Sequence, residues 1–240
     1  MDTQPASEPE VKHIVRSNRN KPGTKTLSLN IPEKLLILTI DDDKGAIASS
    51  VKKSLRYGLS GALLAELVLI GKIQLDGERL KLAEPSLTND TLFDNALKMV
   101  AAEKKKHKLT YWVNEIGSKT LLKQVAGQLA GRGVIKIEKK RFSWIYPYIA
   151  YPQVDASAKY WVKQNLRAVV LAGEKAKAAD IALLSLLKAC SLLRLLFTSD
   201  ERKAANKKVD RLVQGEAFGN SVSVLLADVE AATAARVAAK

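Results

Sequence analysis

Two stretches of the sequence share one order of elements, and this order limits the folds that the chain can adopt. In the first, "LSGALLAELVLI" repeats leucine at helical spacing, Gly71 follows, and "KIQL" and "RLKL" then flank "DGE". In the second, "LLKQVAGQLAG" is followed by "RGVIKI", the polar "EKK" and "RFSWIYP". Each stretch predicts a helix, a helix-ending glycine and a β-hairpin. In the second hairpin we expect "EKK" to form the turn and "RFSWIY" the second strand.

The remaining apolar segments have helical patterns. "LNIPEKLLILTI" and "LTNDTLFDNALKMV" each predict one helix, and Asp155 is placed to cap another. The apolar run 179–197 predicts one long buried helix, and an alanine-rich helix from about residue 220 follows a basic one. The sequence therefore predicts a mostly α, single-domain fold with amphipathic helices and two short β-hairpins.

The N-terminal residues differ in composition from the rest of the chain. Residues 1–26 are polar, contain three prolines and show no apolar period, so we expect a disordered basic and polar tail before a domain at 27–240. This tail lacks the apolar core of a signal peptide, and the run 179–197 contains Lys188 and Arg194, which favours a buried helix over a membrane span. We expect a cytoplasmic protein.

Residues that carry chemistry are scarce. The single cysteine, Cys190, lies in an apolar run with no base near it in sequence, which is typical of a buried thiol in a reducing compartment. The two histidines, His13 and His107, lie in the tail and in a lysine run, so no Cys/His metal cluster is expected. The sequence predicts neither a catalytic residue nor a metal or cofactor, and we expect a protein that is not an enzyme.

Positive charge is concentrated in one part of the chain. The formal net charge is +14, and residues 101–141 carry eleven Lys/Arg against three Glu, a net +8. Such a field attracts polyanions, either nucleic acid phosphates or anionic lipid headgroups. The alternative is a solvated lysine face that serves solubility.

Aromatic residues are concentrated at the same place. "RFSWIYPYIAYP", residues 141–152, holds five of the thirteen aromatic residues. On one strand Phe142, Trp144 and Tyr146 would share a face. One interpretation is that these rings pack under the following helices, joined by Tyr160 and Trp161; the other is that they meet a membrane interface beside a polybasic stretch. The membrane interpretation uses Lys139, Lys140, Arg141, Phe142, Trp144, Tyr146 and Tyr148, with Arg132 adding attraction.

Two further functions fit parts of the pattern. A helix, a glycine and a hairpin with basic residues outline a winged-helix module, so nucleic acid binding is a second interpretation. The helix "KTLLKQVAGQLAG" offers few side chains able to read base edges, and we expect no specific nucleic acid partner. A third interpretation is an oligomeric scaffold in which the aromatic hairpin pairs with its own copy.

Several ordered motifs resemble the Golgi phosphoprotein 3 family, also called the GPP34 domain. The resemblance covers roughly residues 27–235, and we expect it to be closest to the bacterial members. The motifs are "LNIPEKLLILTIDDDKG", "YGLSGALLAELVLIGKIQL", "LFDNALKMV", "GQLAGRGVIKIEKKRF" and "LLKACSLLRLLFTSDERKAANKKV".

The resemblance implies both a fold and a function. The implied fold is mainly helical, with a helical bundle core and a hydrophobic hairpin that matches residues 134–147. Eukaryotic members of the family are peripheral membrane proteins that bind phosphatidylinositol 4-phosphate and help retain glycosyltransferases by contacting their cytoplasmic tails and coatomer. The implied partners are therefore an anionic phospholipid surface at the cytoplasmic face of a membrane, cytoplasmic tails of membrane proteins, and a second copy of the chain.

The family's headgroup pocket transfers only in part. Its tryptophan and three basic positions fall on Val51, Ser60, Lys119 and Leu122, so that Lys119 alone keeps the chemistry. Other basic residues lie within one helical turn of these positions. The candidate headgroup-binding residues are therefore Lys119, Lys123, Lys52, Lys53 and Arg56.

Overall fold

A computed structural model describes residues 28–76, 79–105, 107–118, 120–142, 146–214 and 220–239. The predicted tail at 1–26 lies outside the described residues. The fold is mostly α-helical with two antiparallel two-stranded sheets, as the sequence predicts. Its elements are α1 (Ile31–Thr39), α2 (Ser49–Leu69), β1 (Ile73–Asp76), β2 (Arg79–Leu82), α3 (Thr91–Ala102), α4 (Leu109–Ile116), α5 (Leu121–Gly131), β3 (Glu138–Phe142), β4 (Tyr146–Ala150), α6 (Ala156–Arg167), α7 (Ala178–Ala189), α8 (Ser199–Gln214) and α9 (Asn220–Ala238).

The core is built around α1 and α2. Asn30 caps α1 by accepting a hydrogen bond from Glu33 N, and the Glu33 carboxylate accepts one from Asn30 N, which forms a capping box. Every residue of α1 except Lys34 is buried. The 21-residue α2 packs against α1, α4, α7 and α9. The helical bundle that the resemblance implies is therefore centred on α2.

The glycines of "GLSG" in α2 allow neighbouring elements to approach closely. A Cβ built on Gly58 would lie 2.7 Å from Cys190 Sγ, just past the end of α7, and one on Gly61 would lie 2.8 Å from Leu186 Cδ2 and overlap Thr233 Oγ1 of α9. Both distances are shorter than side-chain carbons tolerate, so the spacing of the bundle depends on these glycines.

The prediction of one helix over 179–197 is wrong. Helix α7 ends at Ala189, Ser191 adopts a left-handed conformation with φ of 58°, and a short 3₁₀ turn follows at Leu193–Leu195. A non-glycine residue at positive φ cannot continue a right-handed helix, so the apolar run is divided. No helix in the described part of the chain has both the length and the hydropathy needed to cross a membrane.

The register of the second hairpin differs from the predicted one. The stretch "EKKRF" is strand β3 and pairs with β4, with Phe142 opposite Tyr146. The turn therefore lies between these residues, and the predicted turn "EKK" is inside a strand. Pairing continues beyond the strands, because Lys136 N donates to Pro152 O (2.8 Å) and Val154 N donates to Val134 O (2.9 Å). We call residues 134–142 and 146–154 the basic ribbon.

Candidate functional site

The outer part of the basic ribbon, at residues 137–141 and 147–149, has one face turned to solvent. Alternation along two paired strands places Lys139 opposite Ile149 and Arg141 opposite Pro147 on the same side. All four residues are exposed, and Ile137 continues this side of the ribbon at 47% exposure. Ile149 is 39% exposed. This outward face therefore alternates positive charge with aliphatic surface.

The opposite face of the ribbon is only partly buried. Ala150 on this face is fully buried, Tyr148 is half-buried, and Lys140 Nζ lies 3.3 Å from a carboxylate oxygen of Glu138. Phe142 and Tyr146 form the last backbone pair of the two strands. Their side chains, and all of Trp144, lie outside the described residues. Whether these rings meet a membrane stays a prediction.

A pocket of about 290 Å³ joins the ribbon to the start of α2. It is lined by Lys44, Ser49 and Lys52 on one side and by Pro147, Tyr148 and Ile149 on the other. The first turn of α2 contains no acidic residue, and its N-cap, Ala48, makes no side-chain capping bond. Because a helix N-terminus carries partial positive charge, the electrostatics of the pocket favour an anion. One candidate headgroup residue, Lys52, thus lies beside one candidate hairpin residue, Tyr148.

The other candidate headgroup residues do not line this pocket. Lys53 Nζ donates to Ala239 O (3.0 Å), and Arg56 Nε donates to Gly117 O, so both side chains hold α2 to neighbouring backbone. Lys123 is exposed on α5, and Lys119 lies outside the described residues. The structure therefore engages Arg56 in a partly buried contact and Lys53 in an exposed one, and Lys52 and Lys123 are exposed with no such backbone bond among the described residues.

Two family positions are closed to a ligand in this chain. Val51 is 5% exposed and Ser60 is fully buried, and the Ser60 hydroxyl has no hydrogen-bond partner among the described residues. Neither side chain offers a charge or an accessible donor to a headgroup. Of the four positions that form the family's headgroup pocket, only position 119 therefore holds a residue with the same chemistry, Lys119.

Arg132 has a structural partner. Its Nη1 lies 2.6 Å from Glu33 Oε2, and its Nη2 donates to Ser28 O (2.9 Å). The sequence led us to expect attraction to an anionic surface from this residue. Its charge is instead paired with a carboxylate that is 1% exposed.

The one thiol of the chain is not placed for catalysis. Cys190 is 2% exposed, and burial raises the pKa of its thiol to about 12. The thiol therefore stays protonated at neutral pH, where it donates a weak hydrogen bond to Ser54 O. Within the described ranges, no group of three or more His, Cys, Asp or Glu residues is arranged to hold a metal ion.

Sequence reasoning missed the two exposed isoleucines of the ribbon and misjudged a second aromatic pair. Ile137 and Ile149 were hidden by the expected turn at "EKK", although the period-two alternation of isoleucine with lysine was a usable signal. The interpretation that Tyr160 and Trp161 pack into the core is wrong, because they are 55% and 64% exposed.

The fold and the ribbon define a helical protein with a basic, partly apolar β-ribbon on its surface. A family model, Golgi phosphoprotein 3 (GPP34), matches residues 31–232, and the chain belongs to this family. Similar proteins include "Vacuolar protein sorting-associated protein 74" of Eremothecium gossypii, 26% identical over 185 residues, which are 68% of this chain and 55% of that protein. The protein of the same name from Schizosaccharomyces pombe is 27% identical over 165 residues, 59% of this chain and 48% of the relative.

The chain spans about half the length of the curated relatives that it matches. Both of these relatives are fungal. The expectation that the chain is closest to bacterial members has no support in these comparisons and stays a prediction.

Proposed function

We propose that this protein binds anionic lipid headgroups as a non-enzymatic peripheral protein at the cytoplasmic face of a membrane. The observation that carries the proposal is the outward face of the basic ribbon, where Lys139 and Arg141 alternate with Ile137 and Ile149. Neither cation has an ion-pair partner among the described residues. Each is therefore available to a phosphate.

The two residue types act on different parts of a bilayer. A basic side chain near an anionic membrane contributes about 1 kcal/mol of attraction. An exposed isoleucine gains by leaving water for the apolar side of the interface, at about 25 cal/mol per Å² of buried apolar surface. A surface that combines both contributions binds more stably than either alone, because single weak anchors give reversible association.

The pocket beside the ribbon is our candidate for the headgroup itself. Lys44 and Lys52 line it together with the uncapped start of α2, and Tyr148 forms its wall on the ribbon side. We infer that it accepts a phosphorylated headgroup, for which phosphatidylinositol 4-phosphate is the family's ligand. Lys119 and Lys123 remain candidates for a separate contact at the start of α5.

We infer an adaptor role, which the family and the relatives' printed name support. That name refers to vacuolar protein sorting, which supports a protein that links a membrane surface to other proteins. We propose that cytoplasmic tails of membrane proteins are its protein partners.

Co-sedimentation with vesicles tests the proposal. Lys139→Ala/Arg141→Ala should weaken binding to phosphatidylserine-containing vesicles about 30-fold, from about 1 kcal/mol per cation. The charge-matched control is Lys203→Ala/Lys207→Ala, which removes two exposed lysines of α8. Equal loss in both variants would show that net charge alone drives binding. Tight retention of duplex DNA at physiological salt would instead favour the nucleic acid interpretation.

A further inference from the structure

The outward face of α6 is uncharged in a chain that has 64 charged residues, 39 basic and 25 acidic. The structure describes every residue from 156 to 173, and none of the exposed ones carries a charge. This neutral face continues from α6 into a π-helical segment, Ala168–Ala172, that follows it directly. Its exposed residues are Ala156, Tyr160, Trp161, Gln164, Asn165, Leu171, Ala172 and Gly173.

The basic residues of α6 are only partly exposed, unlike the residues of the neutral face. Lys159, Lys163 and Arg167 are spaced by four residues and are partly buried. Lys159 Nζ lies 2.6 Å from Asp42 Oδ1, and Arg167 donates to both carboxylate oxygens of Glu201 (2.8 and 2.9 Å). Lys159 and Arg167 therefore hold α6 to the body of the protein, while Tyr160 and Trp161 stay exposed.

Two aromatic rings dominate this neutral face. Tyr160 is 55% exposed and Trp161 is 64% exposed, and their ring centroids are 5.4 Å apart at an interplanar angle of 76°. The rings pack edge to face on each other, so the pair is preorganised. Exposing the apolar surface of the two rings to water is unfavourable. The indole N–H and the phenol O–H, in contrast, need hydrogen-bond partners such as water.

We propose that Tyr160 and Trp161 form a second bilayer contact, with the headgroup–acyl boundary of a lipid membrane as the occupant. This inference rests on the proposed function. Trp and Tyr favour that boundary because it accepts an apolar ring and a polar edge together. The neutral face enters it without removing an ionised group from water, which would cost free energy.

Charge selects the bilayer over a second copy of the chain. Two copies with a net charge of +14 each repel one another, whereas an anionic membrane attracts the same charge. A cleft of about 510 Å³ beside α6 is lined by Lys159, Lys163 and Arg194 together with Asp41 and Asp42, which leaves one net positive charge next to the neutral face. The long-range field thus brings the chain to lipid, and the rings then contact it.

The neutral face and the basic ribbon are joined closely. Only residues 151–155 separate β4 from α6, and Val154 N, within this connection, donates to Val134 O at the base of the ribbon. A chain that docks by its ribbon therefore holds the rings of α6 at a fixed position relative to the membrane. The ribbon contact is sensitive to salt, and the aromatic contact is not.

Tryptophan fluorescence tests the second contact. The chain has three tryptophans, Trp112, Trp144 and Trp161, and Trp112 is 3% exposed. In the variant Trp112→Phe/Trp144→Phe, Trp161 should shift to the blue and be quenched by brominated phosphatidylcholine when phosphatidylserine vesicles are added. In the matched variant Trp144→Phe/Trp161→Phe, the buried Trp112 should show neither change.

A binding measurement covers the case in which Trp112→Phe does not fold. Tyr160→Ser/Trp161→Ser should bind the same vesicles about tenfold more weakly, equally at low and high salt. Leu87→Ser removes an exposed leucine elsewhere, 65% exposed, and should leave binding unchanged.

Normal vesicle binding with an unquenched Trp161, or with no loss in the double variant, overturns this inference and leaves the proposed function standing. A concentration-dependent blue shift without lipid shows a second copy as the occupant and also overturns it. Absence of binding by the unaltered chain overturns both proposals.

Discussion

Arg132, in the turn that follows α5, holds the buried carboxylate of Glu33, in the first turn of α1, with 2.6 Å between Nη1 and Oε2. The same carboxylate accepts a hydrogen bond from Asn30 N at 3.0 Å. Glu33 therefore stabilises the start of α1 and ties it to α5. This pair shows that a basic residue in a positively charged segment can serve the fold rather than a ligand.

Removing Arg132 should lower stability more than it lowers membrane binding. Arg132→Ala leaves the Glu33 carboxylate buried without its cation, and because the Arg132 side chain is 36% exposed we expect a loss of about 2 kcal/mol in the free energy of unfolding. Urea unfolding measures this loss in the free energy of unfolding. Glu33→Gln keeps the capping geometry, so adding it to Arg132→Ala should recover part of the loss. Additive losses in the double variant would contradict the pairing.

The second prediction concerns the spacing of the bundle. Gly61→Ala places a methyl group against Thr233 and Leu186, and we expect a loss of about 1–3 kcal/mol from overpacking. Gly127, in α5, has no atom within 4 Å of a built Cβ. Gly127→Ala should therefore raise stability by up to about 1 kcal/mol, because alanine favours the helix. Thermal unfolding of both variants compares them directly, and equal effects would contradict the role given to Gly61.

The third prediction is a pH dependence. Hydrogen bonds from Arg167 and from Thr198 N lower the pKa of Glu201 from 4.5 to about 2. Because the pKa is lower in the folded state, the stabilisation is fully present above about pH 4.5 and is lost as the pH falls toward 2. The melting temperature of Glu201→Gln should lie below that of the unaltered chain at neutral pH and approach it near pH 3. Glu174→Gln, at an exposed carboxyl away from this pair, is the control, and a difference that does not change with pH would exclude the assignment.

The ends of helices were predictable where a single nearby residue determines them. Asp155 caps α6 and Gly173 ends the segment that follows it, with φ of 74°, because local hydrogen bonding and backbone freedom suffice for both. Ser191 was not predictable, since nothing in an apolar run shows which residue adopts a positive φ. The register of the ribbon depends on where the chain turns, and composition favoured the wrong turn because "EKK" is the most polar part of the stretch.

The sequence was sufficient to predict which segment carries the candidate site. It was not sufficient to predict which side chains share an exposed face of that segment. Lys139 and Arg141 are exposed as expected, whereas the exposed Ile149 follows from a register that the sequence does not reveal. Lys52 and Tyr148 are 96 positions apart and line one pocket only because the ribbon folds beside the start of α2. Long-range contacts of this kind depend on the whole core.

The ribbon's two isoleucines give a prediction that separates insertion from simple charge attraction. Ile137→Ser/Ile149→Ser keeps every charge and removes two partly exposed apolar side chains, so the folded state should keep its melting temperature to within a few degrees. Binding to phosphatidylserine vesicles should fall about tenfold, and by the same factor at low and at physiological salt, because the lost contribution is apolar. Ile70→Ser is the matched control, since Ile70 is 44% exposed at the end of α2 and outside the ribbon. If the double variant binds like the control at both salt concentrations, the ribbon contacts headgroups by charge alone and its isoleucines do not enter the membrane.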